Sequence, residues 1–409
     1  MRRSLLAALA PAVIMLACSS GEQKAKASPP HTAAVRSEDP PEPEPSVTNA
    51  PSFASVAAGY DHSCGVTERG ELYCWGRNDQ GQLGDSSTDE RPLPVQIGEG
   101  TTWRAVSPGG SHSCALAADG AAYCWGSSVA GQLGSDTLGS LSSPTRLPKV
   151  PAFVKISAGE THSCAITAAG ALYCWGENEH GELGQSRFSK SGIATQVAPK
   201  LTWASVSAGS HDTCAITTDG KLYCWGLNNG GALGVESGDA CESDGEPEQC
   251  ALPLRQPVDS LRFAMVATGM NHTCAITTAG VLYCWGSNDR GQLGSGFREP
   301  LVPTPVSGDA KYSAVSAGRE FTCALTTAGE AQCWGADDEG QLAGRAADAT
   351  VPAPVAGSQR FITLSSAGSH SCALTTDHTV YCWGSNANGQ LGTGVHKRSF
   401  EPARLMFAN

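Results

Sequence analysis

Charged side chains are scarce in this chain of 409 residues, where Asp, Glu, Lys and Arg together make up 16% of the sequence. Acidic residues exceed basic ones by 39 to 27, so the formal net charge is −12. Proteins that bind nucleic acid neutralise its phosphates with a basic excess, which is absent here. The chain also lacks a glycine-rich phosphate-binding loop and a Gly-x-Ser-x-Gly nucleophile elbow. We therefore expect no nucleic-acid partner, no cofactor and no catalytic residues.

Glycine, in contrast, is abundant, with 48 residues, and this favours short strands and tight turns over amphipathic helices. The phrase HSCAITAAGALYCWG, at residues 162–176, is one of seven similar copies along the chain. Its first cysteine is Cys64, Cys114, Cys164, Cys214, Cys274, Cys323 or Cys372. A period near 50 residues is typical of propellers and solenoids.

Each copy is predicted to form four short antiparallel strands, which is the composition of a propeller blade. In the third copy we assign these strands to residues 144–148, 153–159, 162–167 and 171–176, with the outer strand first. The first copy has no preceding outer strand, and the chain ends with one. We therefore expect residues 401–407 to complete the blade that begins at Phe53 and to close the ring as a C-terminal clasp. Residues 51–409 would form a monomeric, all-β, seven-bladed propeller.

The two cysteines of each copy lie ten positions apart around a turn. A glycine occupies the third turn position in six copies and His378 in the seventh, and both residue types tolerate the left-handed conformation that such turns require. In this hairpin the cysteines would face each other at a distance that a disulfide can bridge. The favoured disulfides are Cys64–Cys74, Cys114–Cys124, Cys164–Cys174, Cys214–Cys224, Cys274–Cys284, Cys323–Cys333 and Cys372–Cys382.

Zinc binding and free structural thiols are the alternatives to these disulfides. Five copies contain the pattern His-x-Cys-x9-Cys, which offers zinc ligands. The histidine position is Asp212 in the fourth copy and Phe321 in the sixth, however, and a phenylalanine cannot bind zinc. Cys-x9-Cys is also not a common zinc spacing. We therefore expect no metal site.

The repeated pattern AG..H.CALT..G.LYCWG.N..GQLG resembles the regulator of chromosome condensation repeat family, whose members form seven-bladed propellers. The resemblance covers residues 51–409 and includes signature turns such as GRNDQGQLG at 76–84; the sixth copy departs from it with an inserted Ala343. Known members include a guanine-nucleotide exchange factor for the GTPase Ran, which binds chromatin, and a secreted bacterial inhibitor of β-lactamases. The exchange residues cannot be matched here one by one, so exchange activity ranks last among the expected functions.

The N-terminal 50 residues lie outside the repeats. Arg2 and Arg3, followed by an apolar stretch, predict a signal peptide at residues 1–17. MLACSS resembles the lipobox of bacterial lipoproteins, in which the lipidated residue would be Cys18; ordinary secretion after cleavage at Ala27 is the alternative. Residues 18–50 are rich in proline and predict a disordered tether. We expect a lipid-anchored protein of the bacterial cell envelope, at the outer membrane or cell surface, whose anchor is its only contact with the membrane.

Residues 235–253, between the fourth and fifth copies, belong to no repeat. We expect a disulfide between Cys241 and Cys250 to close this insertion. Its acidic residues are the candidate contact surface for a partner, because unique loops on rigid scaffolds often carry function. They are Asp239, Glu242, Asp244, Glu246 and Glu248. The alternatives are a solvated loop without a function and a calcium site, although the carboxylates lack EF-hand spacing.

The sequence therefore favours a non-catalytic binding module for an unknown protein or extracellular polysaccharide. The alternative is a propeller hydrolase or lyase that acts on a polysaccharide, since carboxylate pairs can hydrolyse glycosides. Asp337 and Asp338 form such a pair, but they occupy the place of Asn78 and Asp79 in the signature turn. A role in forming the turn is therefore favoured for them.

Overall fold

The computed structural model describes residues 50–135, 139–185, 189–235, 239–243, 246–298, 300–344 and 347–408. The predicted signal peptide, the lipidation site Cys18 and most of the tether lie outside these residues. The described part is an all-β propeller of seven antiparallel sheets, with a single 3-10 turn at Asn229–Gly231. No helix among the described residues is long and apolar enough to cross a membrane.

Each blade is continuous in sequence, and its strands pair in chain order in the first three blades. The strands of blade 1 are β1 (Phe53–Ala58), β2 (His62–Thr67), β3 (Leu72–Gly76) and β4 (Arg91–Ile97). Those of blade 2 are β5 (Trp103–Pro108), β6 (His112–Ala117), β7 (Ala122–Gly126) and β8 (Leu141–Arg146). Those of blade 3 are β9 (Phe153–Ala158), β10 (His162–Thr167), β11 (Leu172–Gly176) and β12 (Ser191–Val197).

The remaining four blades follow the same order, with one extra strand in blade 4. Blade 4 contains β13 (Trp203–Ala208), β14 (Asp212–Thr217), β15 (Leu222–Leu227), β16 (Asp239–Ser243) and β17 (Glu246–Arg255). Blade 5 contains β18 (Phe263–Thr268), β19 (His272–Thr277), β20 (Leu282–Gly286) and β21 (Thr304–Pro305). Blade 6 contains β22 (Tyr312–Ala317), β23 (Phe321–Thr326), β24 (Ala331–Gly335) and β25 (Ala349–Pro354). Blade 7 contains β26 (Phe361–Ala367), β27 (His370–Thr375), β28 (Val380–Gly384) and β29 (Ser399–Arg404).

The outer strand follows the other three strands of its blade, so the predicted order of strands is wrong. Residues 144–148, which we assigned to blade 3, overlap β8, and β8 pairs with β7 of blade 2. The cause is the signature turn after the third strand. In blade 1 the Asn78 amide accepts a hydrogen bond from the Leu83 backbone N–H at 2.9 Å and donates to the Asp89 carbonyl at 2.9 Å. This buried side chain folds the turn back, so that the chain returns along the sheet that it has just left.

The same difference corrects the predicted clasp. The C-terminal strand β29 pairs with β28 and completes blade 7, whereas blade 1 obtains its outer strand, β4, from its own repeat. The ring closes through contacts between blades 7 and 1, which include a backbone hydrogen bond of 2.9 Å from the Gly394 N–H to the Pro92 carbonyl and several side-chain contacts. The Phe407 ring lies 6.2 Å from the ring of Phe53 and 5.7 Å from that of Tyr73, measured between centroids. His378 adds a hydrogen bond of 2.8 Å between its Nδ1 and the Phe53 carbonyl.

The tryptophans that end each repeat phrase pack between blades, as a residue needed by every blade should. Each indole is fully buried and donates from Nε1 to a carbonyl in the signature turn of the preceding blade. In blade 1, for example, Trp75 donates to the Gln390 carbonyl of blade 7 at 2.9 Å. The corresponding donors are Trp125, Trp175, Trp225, Trp285, Trp334 and Trp383.

The structure confirms the seven hairpin disulfides. The paired cysteines lie directly opposite each other on the second and third strands, with Cα atoms 4.1 to 4.2 Å apart. His378 has a φ of 63°, which is the left-handed conformation predicted for its turn. The glycines at this position also have positive φ, as at Gly70 with 78°.

The insertion in blade 4 forms a β-hairpin, where a loop was expected. Its strand β17 replaces the outer strand of the blade, and β16 pairs with β17 as a fifth strand. Asp239 pairs with Cys250, and Glu242 with Pro247, along the two backbones. Asp244, the Cys241 side chain and the side chains of Asp239, Glu242, Glu246 and Glu248 lie outside the described residues. The disulfide predicted between Cys241 and Cys250 and the acidic contact surface therefore remain predictions.

Candidate functional site

The propeller has two faces, formed by the loops at the two ends of its strands. We call one the signature face; it consists of the loop between the first and second strands and the signature turn of each blade, residues 59–61 and 77–84 in blade 1. The hairpin face, on the opposite side, consists of the turns between the second and third strands, residues 68–70 in blade 1. Several positions in the signature-face loops differ from blade to blade. The residues at the position of Tyr60 are Gly110, Glu160, Ser210, Met270 and Arg319 in blades 2 to 6.

The histidines before the first cysteines are buried and connect neighbouring blades. His62 Nε2 lies 2.8 Å from the Ser113 hydroxyl, which itself donates to the Gln82 carbonyl, so the imidazole is the donor. The same bond links His112 to Ser163, His162 to Thr213, His272 to Thr322 and His370 to Ser63. Burial lowers the pKa of these five imidazoles to about 3 or 4, so they are neutral at neutral pH. These contacts stabilise the ring, as expected for residues repeated in most blades.

The first strands of the blades surround a central channel of about 170 Å³. Small residues line its wall, such as Ala58, Ser107 and Ser157, and no carboxylate or imidazole lies on the inner strands of the described propeller. The longer polar side chains gather where the channel opens onto the signature face, at Tyr60, Glu160 and Arg319. Polar chemistry is therefore located at the mouth of the channel.

Tyr60 lies across this mouth and joins blade 1 to blades 3 and 4. Its hydroxyl donates to Glu160 Oε2 at 3.0 Å and lies 2.5 Å from the Ser210 hydroxyl. Burial, together with the nearby charge of Glu160, raises the pKa of the phenol above its ordinary value. The tyrosine therefore stays protonated and can donate the hydrogen bond.

Beside Tyr60, two histidines and a carboxylate meet at the boundary between blades 3 and 4. Their ligand atoms lie within 4.8 Å of one another, on His180 and Glu182 of the blade 3 signature turn and on His211 of the first blade 4 loop. His180 Nδ1 is 2.8 Å and His211 Nδ1 is 3.8 Å from Glu182 Oε1. Glu177, which accepts a hydrogen bond from the Thr161 hydroxyl, lies 3.9 Å from His211 Nδ1. We call His180, Glu182 and His211 the HEH cluster.

The HEH cluster contains a buried carboxylate, Glu182. Glu182 is fully buried, while the His211 side chain is 33% exposed. Burial raises the pKa of Glu182, but the neighbouring imidazoles of His180 and His211 bring it below its ordinary value. In return, the Glu182 carboxylate raises the pKa of His211. Burial also raises the pKa of the adjacent Asp212, which occupies the place of the blade-linking histidines.

The carboxylate pair that suggested glycoside hydrolysis is built into the scaffold. Asp337 Oδ1 accepts the Leu342 backbone N–H at 2.9 Å, which is the bond that Asn78 makes in blade 1. Asp338 forms an ion pair with Arg290 at 2.8 Å. Asp337 thus has the predicted role in forming the turn.

Sequence reasoning missed Tyr60, Glu160 and the HEH cluster. They stand at positions where the seven copies disagree, while our search followed the positions where the copies agree. A signal was available, because blade 3 reads GELG where five other blades read GQL followed by Gly or Ala, and blade 4 has His211 directly before Asp212. Comparing the copies would have located Glu182, whereas the positions of His180 and His211 vary among the blades and offer no shared residue to depart from.

These features define a seven-bladed propeller scaffold with a variable polar face. The chain belongs to the regulator of chromosome condensation (RCC1) repeat family. One model of this repeat matches residues 69–116, 119–166, 219–276, 279–325 and 377–409. A second model of it matches residues 53–82, 103–132, 153–182, 203–232, 312–341 and 362–390.

Relatives of known structure share the fold. Yeast RCC1 (Prp20), in its complex with Kap60, has a TM-score of 0.71 and 20% identity over 87% of this chain and 85% of its own. Prp20p from Saccharomyces cerevisiae, whose structure was reported with its binding properties to Gsp1p and histones, has the same TM-score and identity over 87% of each chain. Among curated proteins, the ultraviolet-B receptor UVR8 of Arabidopsis thaliana is 42% identical over 65 residues, and this match spans 15% of each chain.

Proposed function

We propose that this protein is an envelope-anchored, non-catalytic binding module that contacts a protein or an extracellular polymer through its signature face. The observation that carries the proposal is the distribution of variation among the repeats. Trp, Cys and Leu positions recur in all or nearly all blades because each blade needs them for packing. Other positions in the loops of the signature face vary between blades, and they place Tyr60, Glu160 and Arg319 around one channel mouth.

The relatives support a macromolecular partner. Kap60 binds yeast RCC1 (Prp20), so a protein of this family can bind another protein. Rigid scaffolds suit this task, because they lose little conformational entropy when a partner binds. The seven disulfides and the inter-blade hydrogen bonds give such rigidity here.

The charge of the signature face favours a partner with positive charge. Glu160, Glu177 and Glu179 lie in the loops of blade 3, and these loops contain no Lys or Arg. The acidic insertion belongs to the neighbouring blade 4. Complementary charge raises the association rate and is screened by salt, so we expect binding to weaken as ionic strength rises.

Export to an oxidising compartment is supported by the disulfides, which are rare in proteins of a reducing cytosol. Lipidation at Cys18 is tested by growth with a labelled fatty acid. We expect label in the wild-type protein and none in a Cys18→Ala variant. Equal labelling of both proteins, or no label in either, would remove the anchor from the proposal.

The binding proposal is tested by cross-linked capture from intact envelopes. The wild-type protein is compared with a variant that carries Glu242→Gln, Asp244→Asn, Glu246→Gln and Glu248→Gln, which removes the charge of the insertion but keeps the outer strand β17. The second comparison is with a Tyr60→Phe/Glu160→Gln variant. We expect capture by the wild type, and a loss of capture in at least one of the variants. Equal capture by all three proteins would contradict a role for this part of the signature face.

A catalytic role is tested separately, by assaying the purified protein for reducing sugar released from envelope polysaccharides. We expect no release. Sugar release that a Glu160→Gln or Glu182→Gln substitution abolishes would overturn the non-catalytic proposal in favour of a polysaccharide hydrolase. Released unsaturated sugar would favour a lyase instead.

A further inference from the structure

We propose that the HEH cluster is a binding site for a divalent transition-metal ion of the zinc class. Two imidazoles and one carboxylate form the ligand set, with ligand atoms within 4.8 Å of one another. A set of two histidines and one glutamate is one of the ligand combinations of protein zinc sites. Imidazole nitrogen favours zinc, copper, nickel and iron over calcium and magnesium, which prefer oxygen ligands.

Glu182 carries a charge that the fold does not require. In five other blades this position is a glutamine whose carbonyl oxygen accepts one backbone N–H, as Gln82 does from Gln80 at 2.9 Å. Glu182 makes the equivalent bond with Oε2, which accepts the His180 backbone N–H at 3.0 Å. A neutral amide would serve this purpose without the cost of burying a carboxylate. The second oxygen, Oε1, faces the two histidines instead.

The two histidines are also specific to this boundary between blades. The position of His180 is Gln80, Ala130, Gly230, Arg290, Glu339 or Asn388 in the other blades. The position of His211 is Asp61, Ser111, Thr161, Asn271, Glu320 or Ser369. Glu182, which departs from the glutamine of five other blades, therefore meets two histidines at positions that vary among the blades, although His211 lies far from the other two residues in sequence. The scaffold alone gives no reason for this convergence.

The geometry leaves room for an ion between the three side chains. His211 Nδ1 is buried and has no hydrogen-bond partner among the described residues, and it lies 3.8 Å from Glu182 Oε1. Metal–ligand bonds of about 2.0–2.1 Å in a tetrahedral site place ligand atoms about 3.3 Å apart. Small rotations of the side chains bring the set to this spacing. Because His211 is one third exposed, the fourth position would open toward solvent or a partner.

Zinc titration of the purified full-length protein tests the site. The protein is first treated with a chelator, and ZnCl2 binding is then measured by calorimetry. The visible spectrum after addition of Co²⁺ reports whether nitrogen and oxygen ligands form a four-coordinate site. The variants Glu182→Gln and His211→Asn each introduce a residue that other blades carry at the same position, as Gln82 and Asn271 do, so the scaffold should accept them. His396→Asn is the control, because His396 is an exposed histidine elsewhere on the protein.

We expect the wild type and the His396→Asn control to bind one Zn²⁺ per chain. Each HEH variant should lower the affinity by more than about 100-fold, which exceeds the effect of losing an outer-shell partner. If the wild type binds no Zn²⁺, the cluster is an ion pair of Glu182 with histidine and the proposal is wrong. Binding of equal affinity in the wild type and both HEH variants would place the ion elsewhere and also overturn it. Partner capture without added metal remains a separate test of the proposed function.

Discussion

At the scale of single residues, the buried histidines show how the ring holds together. Each imidazole donates a hydrogen bond across a blade boundary to a hydroxyl. In blade 1, for example, His62 donates to the Ser113 hydroxyl, which in turn donates a hydrogen bond to the Gln82 carbonyl. Phe321 shows that the position also tolerates an apolar ring, which fills the space without the hydrogen bond. Packing and hydrogen bonding at this position therefore contribute separately to the stability of the propeller, and substitutions can distinguish the two contributions.

We predict that His112→Ala destabilises the propeller more than His112→Phe does. Alanine removes both the packing of a fully buried ring and the hydrogen bond to Ser163, at a cost of about 2–4 kcal/mol. Phenylalanine restores the ring volume, as Phe321 does, and loses only a hydrogen bond worth about 1 kcal/mol. Denaturant unfolding with intact disulfides measures both values. Equal losses would show that packing at this position contributes nothing.

The same histidines predict sensitivity to acid. Their pKa in the folded protein is about 3 or 4, whereas an unfolded chain binds their protons near pH 6.5. Their contribution to stability is therefore fully present above pH 6.5 and is lost as the pH falls from 6.5 toward 4. Each histidine lowers the free energy of unfolding by up to about 1.4 kcal/mol per pH unit.

This acid sensitivity is measured by urea unfolding between pH 5 and 6.5, where most carboxylates remain ionised. The free energy of unfolding should depend less steeply on pH in the His112→Phe variant, because this variant lacks the proton that His112 binds on unfolding. His211 acts in a different window, because its pKa is raised to about 9: its contribution is fully present below pH 6.5 and is lost as the pH rises toward 9. A slope that is unchanged in His112→Phe would contradict the buried neutral state of this imidazole.

At the scale of elements, the hairpin and the signature turn are the units that define a blade. The spacing of Cys164 and Cys174 predicted the hairpin correctly, because residues opposite each other in an antiparallel pair have a constant sum of positions. The position of the outer strand could not be read in the same way. Residues 144–148 look equally suitable as the end of one repeat or the start of the next, and only the pairing of β8 with β7 in the folded protein decides between them.

We predict that Asn386→Ala releases the C-terminal strand. This buried side chain accepts the Leu391 N–H at 2.9 Å and donates to the Val395 carbonyl at 2.7 Å and the Lys397 carbonyl at 3.0 Å. Leaving these backbone groups without partners costs about 2–4 kcal/mol. Hydrogen exchange should become faster in β29. The control Asn388→Ala, in the same turn, should change stability by less than about 0.5 kcal/mol, and an equal effect of both variants would contradict the role of Asn386.

We also predict that replacing both Cys164 and Cys174 with alanine lowers the free energy of unfolding by about 3 kcal/mol, from the entropy of the closed loop. Denaturant unfolding under oxidising conditions measures this loss. Thiol counting supplies a second readout, since the fourteen cysteines of the seven hairpin disulfides should not react in denatured, unreduced protein. Fourteen reactive thiols would contradict the disulfides altogether.

At the scale of the whole molecule, ring closure and the functional face both depend on contacts between distant parts of the chain. The fold was predictable because the residues that pack each blade recur at the same positions in every repeat. The site was not, because it consists of exceptions: Tyr60 meets Glu160 across 100 residues of sequence, and His211 meets Glu182 across a blade boundary. Such pairs follow from the order of blades in the ring and leave no spacing pattern in the sequence.

We predict that Phe407→Ala weakens the closure between blades 7 and 1. The substitution removes the contacts of Phe407 with the Phe53 and Tyr73 rings, at a cost of about 1–3 kcal/mol. The neighbouring Met406 side chain is 41% exposed, so Met406→Ala is the matched control and should cost less than about 0.5 kcal/mol. Thermal unfolding of both variants measures the difference. Equal stability of the two variants would show that the C-terminal residues do not hold the ring.

The central claim is that the signature face contacts the partner, and site-specific photo-cross-linking tests it most directly. A photoreactive residue is placed in intact cells at position 179, exposed on the signature face, or at position 169, exposed on the hairpin face of the same blade. We predict cross-linked adducts from position 179 and none from position 169. Adducts from position 169 alone, or equally from both positions, would contradict the assignment of the signature face.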